Sequence, residues 1–315
     1  MDSSNLPDKL RRPKQFQIFE GIDMVAAYIA LTKPKIIVLL LITAVGGLFL
    51  ASSGFPDLSI SMAVLVGGSL AAGGANSLNH FWDRDIDTKM KRTTNRPVAS
   101  GSIAPINALI FGTLLNLAAF GLLYFYANLI SAILTLSATL FYIFIYTMML
   151  KRTTPQNIVI GGAAGSIPPA VGWAAVTGTI IDPAPIFLFL IVFFWTPPHF
   201  WALSLILKDD YENAGVPMLP VVSGIPATKT QIFIYTWILL ALLLAAVYFV
   251  DELGIVFAIS SLILSAGFIW VTWIMKRRED IDLAMPIYLY SMAYLALLFV
   301  IMVVESFISR QGILL

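Results

Sequence analysis

From residue 35 onward the chain is a succession of long apolar runs separated by short polar breaks. A helix that crosses a bilayer takes about 20 mostly apolar residues. Nine runs reach that length, at roughly 35–53, 59–80, 104–124, 127–149, 157–178, 184–207, 230–250, 254–275 and 285–306. The breaks carry turn chemistry: SSGFPD at 52–57, IDPAP at 181–185 and DELG at 251–254. Residues 21–34 read as a short interfacial helix that ends at Lys33 and Pro34. The pattern predicts an all-α, polytopic membrane protein, a bundle of nine transmembrane helices. Its parts are a polar tail over 1–24, one transmembrane domain over 25–308 and a short tail over 309–315. The first tail lacks the apolar core of a secretory signal, and its acids are foreign to transit peptides.

Composition agrees with the hydropathy. The chain has 315 residues, 59% hydrophobic and 12% charged, against about 25% charged in soluble domains. A net charge of +1 supplies no field for nucleic acid. The absence of cysteine excludes disulfides, thiolate metal sites and cysteine nucleophiles.

Charge placement orients the bundle. With nine crossings, all but one of the 19 Lys and Arg residues fall on the side of the N-terminus, Arg310 being the exception. Positive residues mark the cytoplasmic side, so the N-terminus is expected there and the C-terminus opposite. The acids split differently. Asp57, Asp182, Asp251, Glu252 and Glu305 lie near the far face. Two dense clusters, Asp83–Asp85–Asp87 and Asp209–Asp210–Glu212, lie on the basic side.

If the second span continues as helix, Asn79, Asp83 and Asp87 sit at i, i+4 and i+8 on one face, a ladder of oxygen ligands about 12 Å long. Asp85 points elsewhere, toward Lys89 four residues on. Carboxylates with an amide oxygen are hard ligands that suit Mg²⁺, which binds through one or two carboxylates together with substrate phosphates. Lys89, Arg92 and Arg96, with Lys151, Arg152 and Lys208 on neighbouring loops, are candidate partners for diphosphate oxygens. A bare cation needs no arginines, and a bare anion is repelled by aspartates. Taken alone, Lys151–Arg152 and 276–278 read as orientation signals. The same does not hold for the acids, because a helix C-terminus disfavours them.

The spacing N-x-x-x-D-x-x-x-D at Asn79, Asp83 and Asp87 resembles the first signature of the UbiA-type intramembrane prenyltransferases. The strings DRDIDTKMKRTTNRP, LTKPK at 31–35, KRTTPQNIVIGGAAGSIPPAVGWAAVTG at 151–178 and FFWTPPHFWALSLILKDDYENAGVPMLPVV at 193–222 resemble the branch that farnesylates protoheme IX. The superfamily's second D-x-x-x-D is not kept: Asn213 follows Asp209 by four and Ala214 follows Asp210 by four. Asp209 and Asp210 remain the candidates for the second metal's ligands, ahead of Glu212.

The resemblance implies a UbiA-type nine-helix bundle with a lateral opening to lipid and a polar site capped by cytoplasmic helices. It implies Mg²⁺ as cofactor, with farnesyl diphosphate and heme B as substrates. Farnesyl C1 joins a heme vinyl group and water adds, giving heme O and diphosphate. The implied location is the bacterial inner membrane. The implied partners beyond lipid are a downstream heme-modifying enzyme or a terminal oxidase assembly. Prenylation of a quinone precursor or a chlorophyllide is the nearest alternative, and a polytopic transporter is the alternative from another class.

Two histidines occur, His80 and His199. His199 lies inside the sixth span after Pro197 and Pro198. Either it binds or orients heme, with axial ligation of the iron as one form, or it bonds a carbonyl that the prolines free. His80 reads as a surface or pocket-rim residue. Tyr146 and Asn157 are candidate pocket residues near the diphosphate. GGAAG at 161–165 reads as small-residue helix packing.

Overall fold

The structure is a computed structural model that describes residues 15–52 and 54–310. The expected tails, 1–24 and 309–315, lie mostly outside them. The described residues form helices and no strand: α1 (Gln15–Thr32), α2 (Pro34–Ser52), α3 (Leu58–Trp82), α4 (Arg84–Asp87), α5 (Pro105–Tyr126), α6 (Leu129–Leu140), a π-helical stretch π1 (Phe141–Leu150), α7 (Lys151–Thr153), α8 (Asn157–Thr177), α9 (Pro183–Ile206), α10 (Lys208–Asn213), α11 (Leu219–Val222), α12 (Gly224–Phe249), α13 (Ile255–Arg277) and α14 (Ala284–Arg310). Among the described residues nine helices are long and apolar enough to cross a membrane, with α6, π1 and α7 forming one of them. The seventh begins at Gly224, earlier than hydropathy placed it.

The breaks follow from local chemistry. Pro34 disfavours a helical Lys33 and opens α2 where a missing N–H costs nothing. Lys33 takes φ 52°, the one positive φ among described non-glycine residues. Asp57 caps α3 by accepting from Ser59 N at 2.8 Å and Ile60 N at 3.2 Å. Asn128 caps α6 through Ser131 N at 2.9 Å, and its amide donates to Ala174 O at 2.7 Å on α8. No side chain of its own caps α13. Glu305, buried on α14, does so by accepting from Phe257 N at 2.7 Å. The other end of α13 is held by buried Lys229, whose ammonium donates to the carbonyls of Arg278 (3.0 Å), Glu279 (3.2 Å) and Asp280 (2.5 Å).

Small residues set the helix spacing, as expected where lipid removes the drive to bury apolar faces. A Cβ on Gly74 (α3) lies 2.7 Å from Gly112 O (α5), and the reverse contact is as close. In GGAAG, Gly161 makes room for the Tyr146 ring and Gly162 for Thr196, while Gly165 meets nothing within 4 Å. The main apolar core joins α9, α12, α13 and α14 around Trp195, Trp201, Phe257, Phe268 and Tyr294. A second, small cluster lies over the charged end of the bundle. There Ile86 and Met90 pack with Ile158, Tyr211, Val216 and Met218, so the two acid-bearing loops close on each other as a cap.

Candidate active site

Helix α3 ends at Trp82, where Asp83 (φ −90°, ψ 3°) caps it. The backbone ladder nevertheless continues, Asp83 N to Asn79 O at 2.9 Å and Asp87 N to Asp83 O at 2.8 Å. Asn79, Asp83 and Asp87 therefore stay on one face across the break, and all three side chains are buried.

A cation lies on each rung. Lys33 Nζ donates to Asn79 Oδ1 at 3.0 Å. Lys151 Nζ donates to Asp83 Oδ2. Arg96 Nη1 donates to both oxygens of Asp87, at 2.8 and 3.0 Å. The amide of Asn79 donates to Asp83 Oδ2 at 2.7 Å and to Thr147 Oγ1 at 3.2 Å. Asp83 Oδ1 is sealed from solvent without a hydrogen bond; Arg152 Nη2 is 4.0 Å away. The two carboxylates thus face Lys151, Arg96 and, in its protonated form, Lys33. Burial, then the Arg96 charge, pulls the Lys33 ammonium down to about 7.

Asp85 turns outward as expected, but its partner is Arg152 and not Lys89. The guanidinium binds the carboxylate by two bonds, 2.7 and 2.8 Å, and also donates to Trp82 O at 2.9 Å. Helix α4 stops at Asp87, so Lys89 sits in a turn, its N–H on Ile86 O. The Arg152 hydrogen bonds pull the Asp85 carboxyl down to about 2. Arg152 therefore braces the end of α3.

The π-helical stretch shapes the wall beside the ladder, a setting common for such insertions. Its wide winding, with Lys151 N on Tyr146 O, carries Thr147 to Asn79 and stacks Tyr142 on Tyr146, centroids 5.5 Å apart. Asn157 is buried nearby. Its amide donates to Thr154 O at 2.6 Å, and its Oδ1 is sealed without a partner.

The second acidic loop meets the first differently. Asp210 Oδ2 accepts from Arg92 N at 3.3 Å. Asp209 is exposed, and Lys208 pairs with Glu212 at 2.9 Å. Among the described residues no three carboxylates or imidazoles converge. Lys89 and Arg92 have exposed side chains.

His199 is buried with its ring between Trp195 and Tyr288, centroids 4.3 and 4.7 Å away. Its Nδ1 meets Ser291 Oγ at 2.7 Å. The carbonyls that Pro197 and Pro198 free belong to Phe193 and Phe194, and His199 bonds neither. His80 is not at the surface: it is 1% exposed and both ring nitrogens lack partners.

The pattern of the UbiA prenyltransferase family matches residues 40–298, which hold the ladder, Lys151 and His199. The chain belongs to the UbiA prenyltransferase family. It is 49% identical over 286 residues to a protein of Gloeothece citriformis named protoheme IX farnesyltransferase, covering 90% of this chain and 88% of that one. Its fold is that of a digeranylgeranylglyceryl phosphate synthase (TM-score 0.73, 19% identity, 90% and 99% of the two chains). A UbiA homolog of Archaeoglobus fulgidus bound to GPP and Mg²⁺ is similar at TM-score 0.59 and 15% identity, covering 88% and 99%. The chain is thus an integral, multi-pass member of the UbiA family. Within the site of this UbiA chain, sequence reasoning left out Lys33, Thr147 and Ser291. The motif LTKPK carried the only signal, a lysine locked before a proline at a helix break.

Proposed function

We propose that this chain transfers the farnesyl group of farnesyl diphosphate to a vinyl group of heme B, yielding heme O. The bond from farnesyl C1 to the diphosphate oxygen breaks, and C1 bonds the terminal vinyl carbon. Water adds to the other vinyl carbon and loses a proton, and diphosphate leaves. The observation that carries this reading is the 49% identity, across nearly the whole of both chains, to a protein named for that reaction.

The residues support it physically. Lys33, Lys151 and Arg96 stand where a diphosphate needs counter-charge. Exposed Lys89 and Arg92, with half-buried Lys208, extend the positive rim, and Arg152 holds the α3 end in register. Asn79, Asp83 and Asp87 are the proposed ligands of Mg²⁺, with Asp209 and Asp210 on the facing loop for a second ion. The donor set fits: hard oxygens, and one buried carboxylate oxygen, Asp83 Oδ1, without a partner. When bound with the diphosphate, Mg²⁺ supplies Lewis-acid neutralisation of the leaving group. Tyr146 and Asn157 line the pocket, and the closed cap keeps water from the allylic centre. His199, deep in α9, receives the heme. The Archaeoglobus fulgidus protein, bound to GPP and Mg²⁺, is consistent with this arrangement.

The segregation of the basic residues supports a cytoplasmic N-terminus, in a bacterial inner membrane. Residues 25–308 act as one catalytic domain. The product then passes to a heme-modifying enzyme or a terminal oxidase assembly. Membranes holding the chain, incubated with farnesyl diphosphate, heme B and Mg²⁺, are expected to yield a heavier, more apolar heme by mass spectrometry and free diphosphate. Prenylation of a quinone precursor or chlorophyllide in its place, or no diphosphate release at all, overturns the reading.

A further inference from the structure

Ser291 on α14 is buried and carries three polar contacts with the His199 pocket. Its carbonyl accepts from Trp195 Nε1 at 2.8 Å. Its hydroxyl lies 2.7 Å from His199 Nδ1. The same hydroxyl donates to Tyr288 O, one helical turn back, at 2.7 Å. A serine hydroxyl has one hydrogen and two acceptor lone pairs. The Tyr288 carbonyl can only accept, so that hydrogen is spent there. The short contact to the imidazole then needs its hydrogen from the ring, which makes Nδ1 the protonated nitrogen. An imidazolium satisfies the same contact, but it buries a charge in an apolar core with no carboxylate partner. The neutral ring with hydrogen on Nδ1 is what remains, and its Nε2 carries the free lone pair.

The aromatic neighbours fix the orientation. Trp195 lies one turn before His199 on α9 and stacks at 19°; Tyr288 on α14 stacks on the ring at 23°. Two faces and Nδ1 are therefore held by three residues. Nε2 has no partner among the described residues, and unlike the His80 nitrogens it is not sealed from solvent. A neutral imidazole with one nitrogen anchored and the other open is the form that ligates metals, and the anchoring hydrogen bond sets which nitrogen is offered.

We propose that Ser291 is a positioning residue: its hydroxyl holds His199 as the Nδ1–H tautomer and so presents the Nε2 lone pair to the iron of a bound porphyrin. The tautomer stands on the hydrogen-bond geometry alone. The iron as its destination rests on the function proposed above.

Two measurements separate these. The chain has two histidines, so nitrogen-15 NMR of histidine-labelled, heme-free protein gives two sets of ring signals, and His199→Ala assigns them. The expected result is Nδ1–H for His199 in the wild type and in Ser291→Thr, with a mixture of tautomers in Ser291→Ala. A wild-type Nε2–H ring overturns the proposal without touching the enzymatic reading. The second measurement is titration with ferric heme, read by its absorption and electron-spin spectra. A histidine-ligated signature is expected in the wild type and absent in His199→Ala. Ser291→Ala is expected to weaken the affinity for that signature about 10–100-fold, the usual cost of losing an outer-shell partner, with recovery in Ser291→Thr. Equal affinities in wild type and Ser291→Ala overturn the positioning role. A His199→Ala spectrum identical to wild type overturns the iron as destination, and with it the heme role of His199, leaving the diphosphate site standing.

Discussion

Lys33 reaches 46 residues along the chain to place its ammonium 3.0 Å from Asn79 Oδ1, and does so from a left-handed backbone at φ 52°. A non-glycine residue held there costs on the order of 1–3 kcal/mol. From that backbone the Lys33 side chain reaches α3.

Stability and function therefore part at this position. Lys33→Gly is expected to raise or preserve the thermal unfolding temperature in detergent, because glycine accepts the left-handed region without a Cβ clash, yet to weaken farnesyl diphosphate binding. Lys33→Ala is expected to lower both. Equal binding by both variants and wild type removes Lys33 from the anion site.

Asp83→Asn and Asp87→Asn are expected to abolish turnover while the protein still inserts. Loss of charge at a centre of developing charge costs on the order of 10²-fold or more in rate. Each change also strips a cation of its carboxylate partner, Lys151 at Asp83 and Arg96 at Asp87, so both unfolding temperatures should fall. Magnesium-dependent diphosphate release, measured beside unfolding, separates the two effects. Near-normal release in both variants removes the ladder from the chemistry.

The Asp85–Arg152 pair acts at a distance. Both side chains are partly exposed, so the pair contributes at most about 1 kcal/mol to stability. Its carboxyl is lowered to about 2 in the fold, against about 3.9 in an open chain. The contribution is then complete above about 4 and lost as pH falls through about 2. The stability difference between wild type and Asp85→Asn should be constant from pH 8 to about 4 and shrink below it. Turnover of Asp85→Asn should fall only a few-fold, because Asp83 keeps Lys151 and Asn79. A loss as deep as that of Asp83→Asn would make Asp85 a direct ligand.

Gly74→Ala tests the frame that carries the ladder. The new Cβ lies 2.7 Å from the backbone oxygen of Gly112, and helix backbones do not yield as a flexible side chain does. Overpacking of this kind costs about 1–3 kcal/mol. A lowered unfolding temperature is expected, with diphosphate release falling as α3 shifts. Unchanged stability would show that α3 and α5 are further apart.

What the chain alone determined is the architecture and the one-faced spacing of Asn79, Asp83 and Asp87. Apolar run length sets each crossing, prolines and glycines set the breaks, and the separation of Asn79, Asp83 and Asp87 by fours puts them on one face. These are short-range properties, written within a turn or a single span. The pairing of charges is not. Asp83 finds Lys151 68 residues away, Arg92 meets Asp210 118 residues away, and His199 meets Ser291 92 residues away. Local spacing assigned Asp85 to Lys89, and only the end of α4 and the reach of Arg152 decided otherwise. The same holds for His80, read as a surface or rim residue and buried in the fold. Which cation answers which acid, and which hydroxyl fixes an imidazole, depends on how the helices pack. Many side chains of like charge and size compete for each partner, and only the three-dimensional approach of their backbones chooses among them.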